Sequence, residues 1–65
     1  MGNNYKIMVT GLLKNNPNGL TIRDLADNIG TTRHTVSIAL AELKGEGKLL
    51  VRKIGMAKLH FWRQE

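Results

Sequence analysis

Residues 20–43 decide the fold of this chain, and they read LTIRDLADNIGTTRHTVSIALAEL. Thr21 is followed three residues later by Asp24, which is the pairing of a capping box, so we predict that a helix opens at Thr21. Gly30 supplies the left-handed residue that commonly ends such a helix. Only two threonines separate Gly30 from the next helical pattern, and the second of them, Thr32, is a good N-cap. Two helices joined by so short a turn containing a glycine predict a helix-turn-helix.

The apolar residues of these two helices recur at spacings of three and four, which places them on one face of each helix. The inner face of the first helix is predicted to hold Ile22, Leu25, Ala26 and Ile29. The second helix is predicted over residues 33–44, with Val36, Ala39, Leu40 and Leu43 on its inner face. The two faces together form the predicted core.

Another helix is predicted before this unit, because apolar residues recur at helical spacing over residues 5–13. Asn3 or Asn4 can cap this helix, and Met8 is expected in the core. The segment NNPNG, residues 15–19, ends the helix, because its proline excludes the helical conformation from the residue before it.

Strands are predicted on either side of the helix-turn-helix. Residues 20–22 could add one short strand. Residues 49–53 and 58–62 are rich in apolar and aromatic side chains and flank a Gly-Met-Ala segment at 55–57. The chain is therefore predicted to end in a β-hairpin.

The register of this hairpin is predicted from its apolar residues. A three-residue loop pairs Val51 with Phe61 and puts Leu49, Val51, Leu59 and Phe61 on one inner face. A two-residue turn would pair Val51 with His60 and divide the apolar set. We therefore expect the three-residue loop, with His60 on the solvent side.

Length and composition exclude several classes of protein. A chain of 65 residues is one small domain, and its lack of cysteine excludes disulfides and thiolate zinc sites. No run approaches the roughly 18–20 apolar residues of a membrane span, and residues 1–4 lack the apolar core of a signal peptide. We expect a cytoplasmic protein with no membrane partner. The acidic residues suggest no catalytic pair, so we expect neither an enzyme nor a cofactor or metal.

The charge of the chain is concentrated near its C-terminus. Ten Lys and Arg residues against five Asp and Glu give a net charge of +5. Residues 48–63 carry much of this excess and contain no acid; their cations are Lys48, Arg52, Lys53, Lys58 and Arg63. A solvated surface usually mixes both signs, so this segregation favours a surface that binds an anionic partner, most often nucleic acid.

The order helix, strand, helix, tight turn, helix and basic hairpin resembles a winged helix-turn-helix domain, an α+β fold. The residues that carry the resemblance are 20–26, 29–37, 40–43 and 47–49, and it extends over residues 5–63. The chain is similar to small prokaryotic, particularly archaeal, transcription regulators of the MarR/ArsR-like type.

This resemblance implies binding of double-stranded DNA, with the third helix, about residues 32–44, in the major groove. The hairpin, residues 48–63, would act as a wing on the DNA backbone or in the minor groove. Arg33 is the best candidate for a guanine or phosphate contact, because its guanidinium can bind bidentately. The residues expected at this interface are Arg23, Thr31, Thr32, Arg33, His34, Ser37, Arg52, Lys53 and Lys58.

A second reading is a winged helix that binds another protein. Ile38 and Ala41 occupy outward positions of the third helix that regulators often fill with polar or basic residues. Together with Leu50 and Trp62 they could form an apolar contact surface. The chain could also be one domain of a longer regulator, or a homodimer formed through the first helix.

Overall fold

The computed structural model describes residues 3–63 as three helices followed by a two-stranded antiparallel hairpin. This is an α+β layout, consistent with a winged helix-turn-helix arrangement. The elements are α1 (Asn3–Asn15), α2 (Ile22–Ile29), α3 (Arg33–Gly45), β1 (Leu49–Ile54) and β2 (Ala57–Trp62). Within residues 3–63, no helix has the length and apolar character needed to cross a membrane.

The predicted helix-turn-helix is confirmed down to its caps. The Thr21 hydroxyl accepts the Asp24 N–H at 3.1 Å, and the Asp24 carboxylate accepts the Thr21 N–H at 3.2 Å. Gly30 ends α2 with a φ of 80°, and its N–H donates to Ala26. The Thr32 hydroxyl then accepts the Thr35 N–H at 3.2 Å and caps α3. Each contact links residues three or four apart, so the ends of the two helices are set by near neighbours in the sequence.

The start of α1 differs from the prediction. Both Asn3 and Asn4 lie inside the helix, so the expectation that one of them caps it is wrong. The apolar pattern begins only at Tyr5, but the first turn of a helix has no requirement for apolar residues, and the helix extends beyond the pattern. The end of α1 is as predicted, because Asn15 is its last residue.

The core lies between the three helices and the first residue of the hairpin. Its buried residues are Val9, Leu13, Leu25, Ala26, Val36, Ala39, Leu40, Leu43 and Leu49. The predicted inner faces of α2 and α3 are confirmed. The prediction that Met8 lies in the core is wrong, because its side chain is 49% exposed. Val9 and Leu13 lie one turn apart and turn inwards, and Met8 is rotated about 100° from Val9 toward solvent.

The hairpin has a two-residue turn, so the predicted register is wrong. Ile54 pairs with Ala57 across Gly55 and Met56, and Val51 therefore pairs with His60 rather than with Phe61. Gly55 has a φ of 61° at the first central position, where type II′ turns place glycine. Such a turn matches the twist of the two strands, and this local geometry outweighs the clustering of all apolar side chains on one face.

Alternation along the strands divides the hairpin into two faces. The inner face, turned toward the helices, holds Leu49, Val51, Lys53, Lys58, His60 and Trp62. The outer face holds Leu50, Arg52, Ile54, Ala57, Leu59 and Phe61. Apolar side chains are thus present on both faces.

His60 attaches the hairpin to the loop between α1 and α2. Its backbone N–H donates to the Leu20 carbonyl at 2.8 Å, and the Leu20 N–H donates back at 3.0 Å. The predicted short strand at residues 20–22 therefore exists as a single bridge at Leu20. The prediction that His60 lies on the solvent side is wrong. The residue is buried, and its Nδ1 lies 3.0 Å from the Leu20 carbonyl oxygen.

Candidate nucleic-acid interface

A groove of about 620 Å³ separates α3 from the inner face of the hairpin, and the start of α2 closes one side of it. We call it the α3 groove. Its floor is apolar, with Leu40, Ala41 and Val51 among the lining residues. Its cationic lining side chains are Arg23, Arg33, Lys44 and Lys58, and no Asp or Glu is among the residues that line it.

Helical spacing brings the α3 side chains into this groove. Arg33, Ser37, Ala41 and Lys44 follow at intervals of four, four and three, so they lie along one stripe of the helix. Arg33 stands at the first turn and Lys44 in the last turn. The groove therefore has a cation near each end of α3 and small side chains between them.

Lys44 was missed in the sequence analysis. It continues the stripe of Arg33, Ser37 and Ala41 by one turn, and that spacing was available as a signal.

The hairpin brings Lys53 and Lys58 face to face. The backbone N–H and C=O of His60 are both hydrogen-bonded to Leu20, so they point away from Val51. Val51 and His60 are therefore a non-hydrogen-bonded pair of the hairpin ladder. Lys53 and Lys58, two residues further along, are then also such a pair, in which the side chains are closest. Like charges placed directly opposite are destabilising. Neither lysine forms an ion pair within residues 3–63.

Arg23 lies near Asp27 and also lines the α3 groove. Its Nε lies 3.9 Å from Asp27 Oδ2, and both side chains are about three-quarters exposed. So long and exposed a contact contributes little to stability. Arg23 also lines the α3 groove, where its guanidinium remains accessible to a ligand.

The threonines before α3 are already engaged within the chain. The Thr31 N–H donates to the Ala26 carbonyl at 3.0 Å. The Thr32 hydroxyl caps α3 and lies 3.0 Å from the Thr35 hydroxyl. His34 is exposed on the first turn of α3, next to Arg33, and does not line the groove.

Arg52 lies apart from the other predicted hairpin contacts. It is on the outer face, where it lines a second groove of about 390 Å³ with Lys14, Pro17 and Leu50. Lys53 and Lys58 are on the inner face. Arg52 and the two lysines therefore lie on opposite faces of the hairpin, because adjacent residues of a strand point to opposite faces.

The remaining basic residues near the core are partly neutralised. Lys6 of α1 donates to the Glu46 carboxylate just after α3, and Lys48 Nζ lies 3.6 Å from the same carboxylate. The hydrogen bond between Lys6 and Glu46 lowers the pKa of the Glu46 carboxyl group and raises the pKa of the Lys6 amine. Lys14 Nζ lies 4.9 Å from the ring centre of Trp62, within cation–π range. Of the cations without an ion pair within residues 3–63, Arg33, Lys44 and Lys58 line the α3 groove, and Lys14, Arg52, Lys53 and Arg63 do not.

Comparison of the chain with models of known protein families and with curated proteins gives no match.

Proposed function

We propose that this protein binds double-stranded DNA through the α3 groove. The observation that carries the proposal is the groove lining, in which four cationic side chains occur without an acidic one. A surface of this kind attracts the phosphate backbone, which supplies most of the affinity in non-specific DNA binding.

The dimensions of the elements fit a duplex. An α-helix with its side chains is about 10–12 Å across, and the major groove of B-DNA is about 12 Å wide. With α3 in the major groove, Arg33 at its first turn reaches base edges or a flanking phosphate. The hairpin then approaches the backbone with Lys53 and Lys58. A phosphate between these two lysines removes the repulsion that their pairing creates in the free protein.

The proposed class is a cytoplasmic transcription regulator, or its DNA-binding domain, of the MarR/ArsR-like type. The tight helix-turn-helix with a basic hairpin supports this class. The role is binding rather than catalysis, with no cofactor.

The proposal is tested by fluorescence anisotropy with a labelled random duplex of about 20 base pairs at several salt concentrations. We expect micromolar binding. If about six phosphates are neutralised, the slope of log K against log salt should be about −5. Absence of binding at low salt would rule the proposal out.

A second candidate function, binding of another protein, is favoured by the outer face of the hairpin. Leu50 is 48% exposed and Ile54 is 56% exposed on this face. Exposed apolar side chains close together are typical of partner surfaces. In that case, Leu50→Gln would abolish partner binding and leave the affinity for DNA unchanged.

A further inference from the structure

The second groove of the molecule lies between the end of α1 and the outer face of the hairpin, and we call it the Arg52 groove. Its volume of about 390 Å³ is at the low end of the roughly 300–1,000 Å³ that is typical of ligand pockets. Within residues 3–63, it shares no lining residue with the α3 groove. The two grooves are therefore separate sites, and each can have its own partner.

Most of the lining of the Arg52 groove is apolar. The apolar residues are Leu13, Pro17, Leu50, Phe61 and Trp62. Leu13 is buried, whereas Pro17 and Leu50 are exposed, so the apolar lining extends from the core to the surface. Burial of such a surface against an apolar side chain of a ligand is favourable.

The aromatic rings of this groove are already engaged within the chain. Trp62 packs against the core, and Lys14 Nζ lies 4.9 Å from its ring centre. The Phe61 ring lies so close to Gly19 that a Cβ atom there would be 2.7 Å from two of its carbons. Single-stranded nucleic acid binds by stacking its bases on free aromatic rings. The engagement of both rings therefore favours a peptide over a nucleic acid as the occupant of the groove.

The polar part of the lining is positively charged. Lys14 and Arg52 line the groove, and no Asp or Glu is among its lining residues. Both side chains are exposed, and neither forms an ion pair within residues 3–63. A guanidinium can bind a carboxylate through two parallel hydrogen bonds. The groove is thus complementary in charge to a ligand that presents carboxylates beside apolar side chains.

We propose that the Arg52 groove binds an acidic segment of another protein, in which apolar side chains are interspersed with Asp and Glu. An apolar side chain of this segment covers Leu13 and Leu50, and its carboxylates bind Lys14 and Arg52. The proposal rests on the second candidate function, binding of another protein, and names the chemistry of that partner. It does not depend on the α3 groove, because Arg52 and the inner-face lysines are on opposite faces of the hairpin.

The test is a titration of the isotope-labelled protein, followed by NMR of its amides, with an acetylated and amidated peptide of sequence ELDELFDE. We expect saturable shifts at Lys14, Leu50, Arg52 and the Trp62 indole N–H. The dissociation constant should lie between about 10 µM and 1 mM, because so small a contact offsets little of the entropic cost of association.

One pair of protein variants tests the role of Arg52. Arg52→Gln removes a hydrogen bond to a charged group and should weaken peptide binding about tenfold. Lys53→Gln is the matched control, because it removes the same charge from the adjacent residue on the other face, and it should bind the peptide as the wild type does. Equal weakening in the two variants would show that net charge alone attracts the peptide, and it would overturn the proposal.

Two control peptides test the chemistry of the partner. QLNQLFNQ lacks charge and ESDESSDE lacks apolar side chains, and each should bind at least about tenfold more weakly than ELDELFDE. Equal binding of QLNQLFNQ would overturn the acidic character of the partner and still support a protein partner on this face. Binding of neither ELDELFDE nor QLNQLFNQ would overturn both. Displacement of ELDELFDE by a DNA duplex would assign the groove to nucleic acid and would also overturn the proposal.

Discussion

His60 and Leu20 share three hydrogen bonds although they are 40 residues apart. Two are backbone bonds, and the third joins Nδ1 of the imidazole to the Leu20 carbonyl oxygen at 3.0 Å. Because a carbonyl can only accept, Nδ1 is the donor, which fixes the ring tautomer. This contact holds the hairpin against the helical unit, so it also positions the inner-face lysines beside α3.

Replacement of His60 by leucine should therefore destabilise the fold moderately. The side-chain hydrogen bond is lost, but the Leu20 carbonyl keeps its backbone donor, so the cost should be about 0.5–1.5 kcal/mol. Urea denaturation measures this difference. His34→Leu is the matched control, because His34 is exposed and its replacement should change stability by less than about 0.5 kcal/mol. Equal effects of the two substitutions would contradict the assigned role of His60.

Gly19 should not tolerate a side chain. Its φ is 90°, and a Cβ atom there would lie 2.7 Å from two carbons of the Phe61 ring. Gly19→Ala combines backbone strain with displacement of Phe61, and we expect a loss of about 1–3 kcal/mol. Gly45→Ala makes the same change within α3, where a Cβ would meet nothing within 4 Å, and should leave stability unchanged or raised. Thermal melts of the two variants test this contrast.

The contact between Lys6 and Glu46 should make stability depend on pH at both extremes. Glu46 has a lowered pKa, so its contribution is complete above the ordinary value of 4.5 and is lost as pH falls through the lowered value. Lys6 has a raised pKa, so its contribution is complete below 10.5 and is lost as pH rises through the raised value.

A double-mutant cycle isolates this contribution. We compare the melting temperatures of the wild type, Lys6→Met, Glu46→Gln and the double variant at each pH. The difference between the effect of the double variant and the sum of the two single effects is the coupling between Lys6 and Glu46. We expect a constant coupling near neutral pH that disappears at both acidic and alkaline extremes. A coupling that is independent of pH would show that the contact is not ionic.

Arg33 should influence which DNA sequences are bound. If α3 enters the major groove as proposed, the position of Arg33 on the first turn allows a bidentate contact with guanine. Arg33→Ala should reduce the preference for the best site over a random duplex by about 1–3 kcal/mol. Competition titrations measure this preference. Lys44→Ala, at the other end of the stripe, should weaken binding to both duplexes alike, and a loss of preference in that variant instead would assign base recognition to Lys44.

The sequence predicts those parts of the fold that depend on near neighbours. The caps at Thr21, Gly30 and Thr32 follow from residues within one turn, and all three are confirmed. The buried faces of α2 and α3 follow from spacing in the same way. The separation of Arg52 from Lys53 also follows from the sequence, because alternation along a strand puts adjacent residues on opposite faces.

The remaining features depend on partners that are distant in the sequence. The burial of His60 depends on Leu20, and the hairpin register depends on a preference of the turn at Gly55 that competes with apolar clustering. Met8 could not be assigned to solvent until the packing direction of Val9 and Leu13 was known. The His60–Leu20 contact and the hairpin register determine which hairpin side chains line the α3 groove.

The most direct test of the α3 groove as a DNA-binding surface compares three hairpin variants that each remove one positive charge. Lys53→Gln, Lys58→Gln and Arg52→Gln are measured by anisotropy with the same duplex over a range of salt concentrations. If the α3 groove and the adjoining inner face of the hairpin bind DNA, the two lysine variants bind more weakly and each lowers the salt slope by about 1, while Arg52→Gln stays close to the wild type. An Arg52→Gln variant that loses as much affinity and salt dependence as the lysine variants would contradict this account.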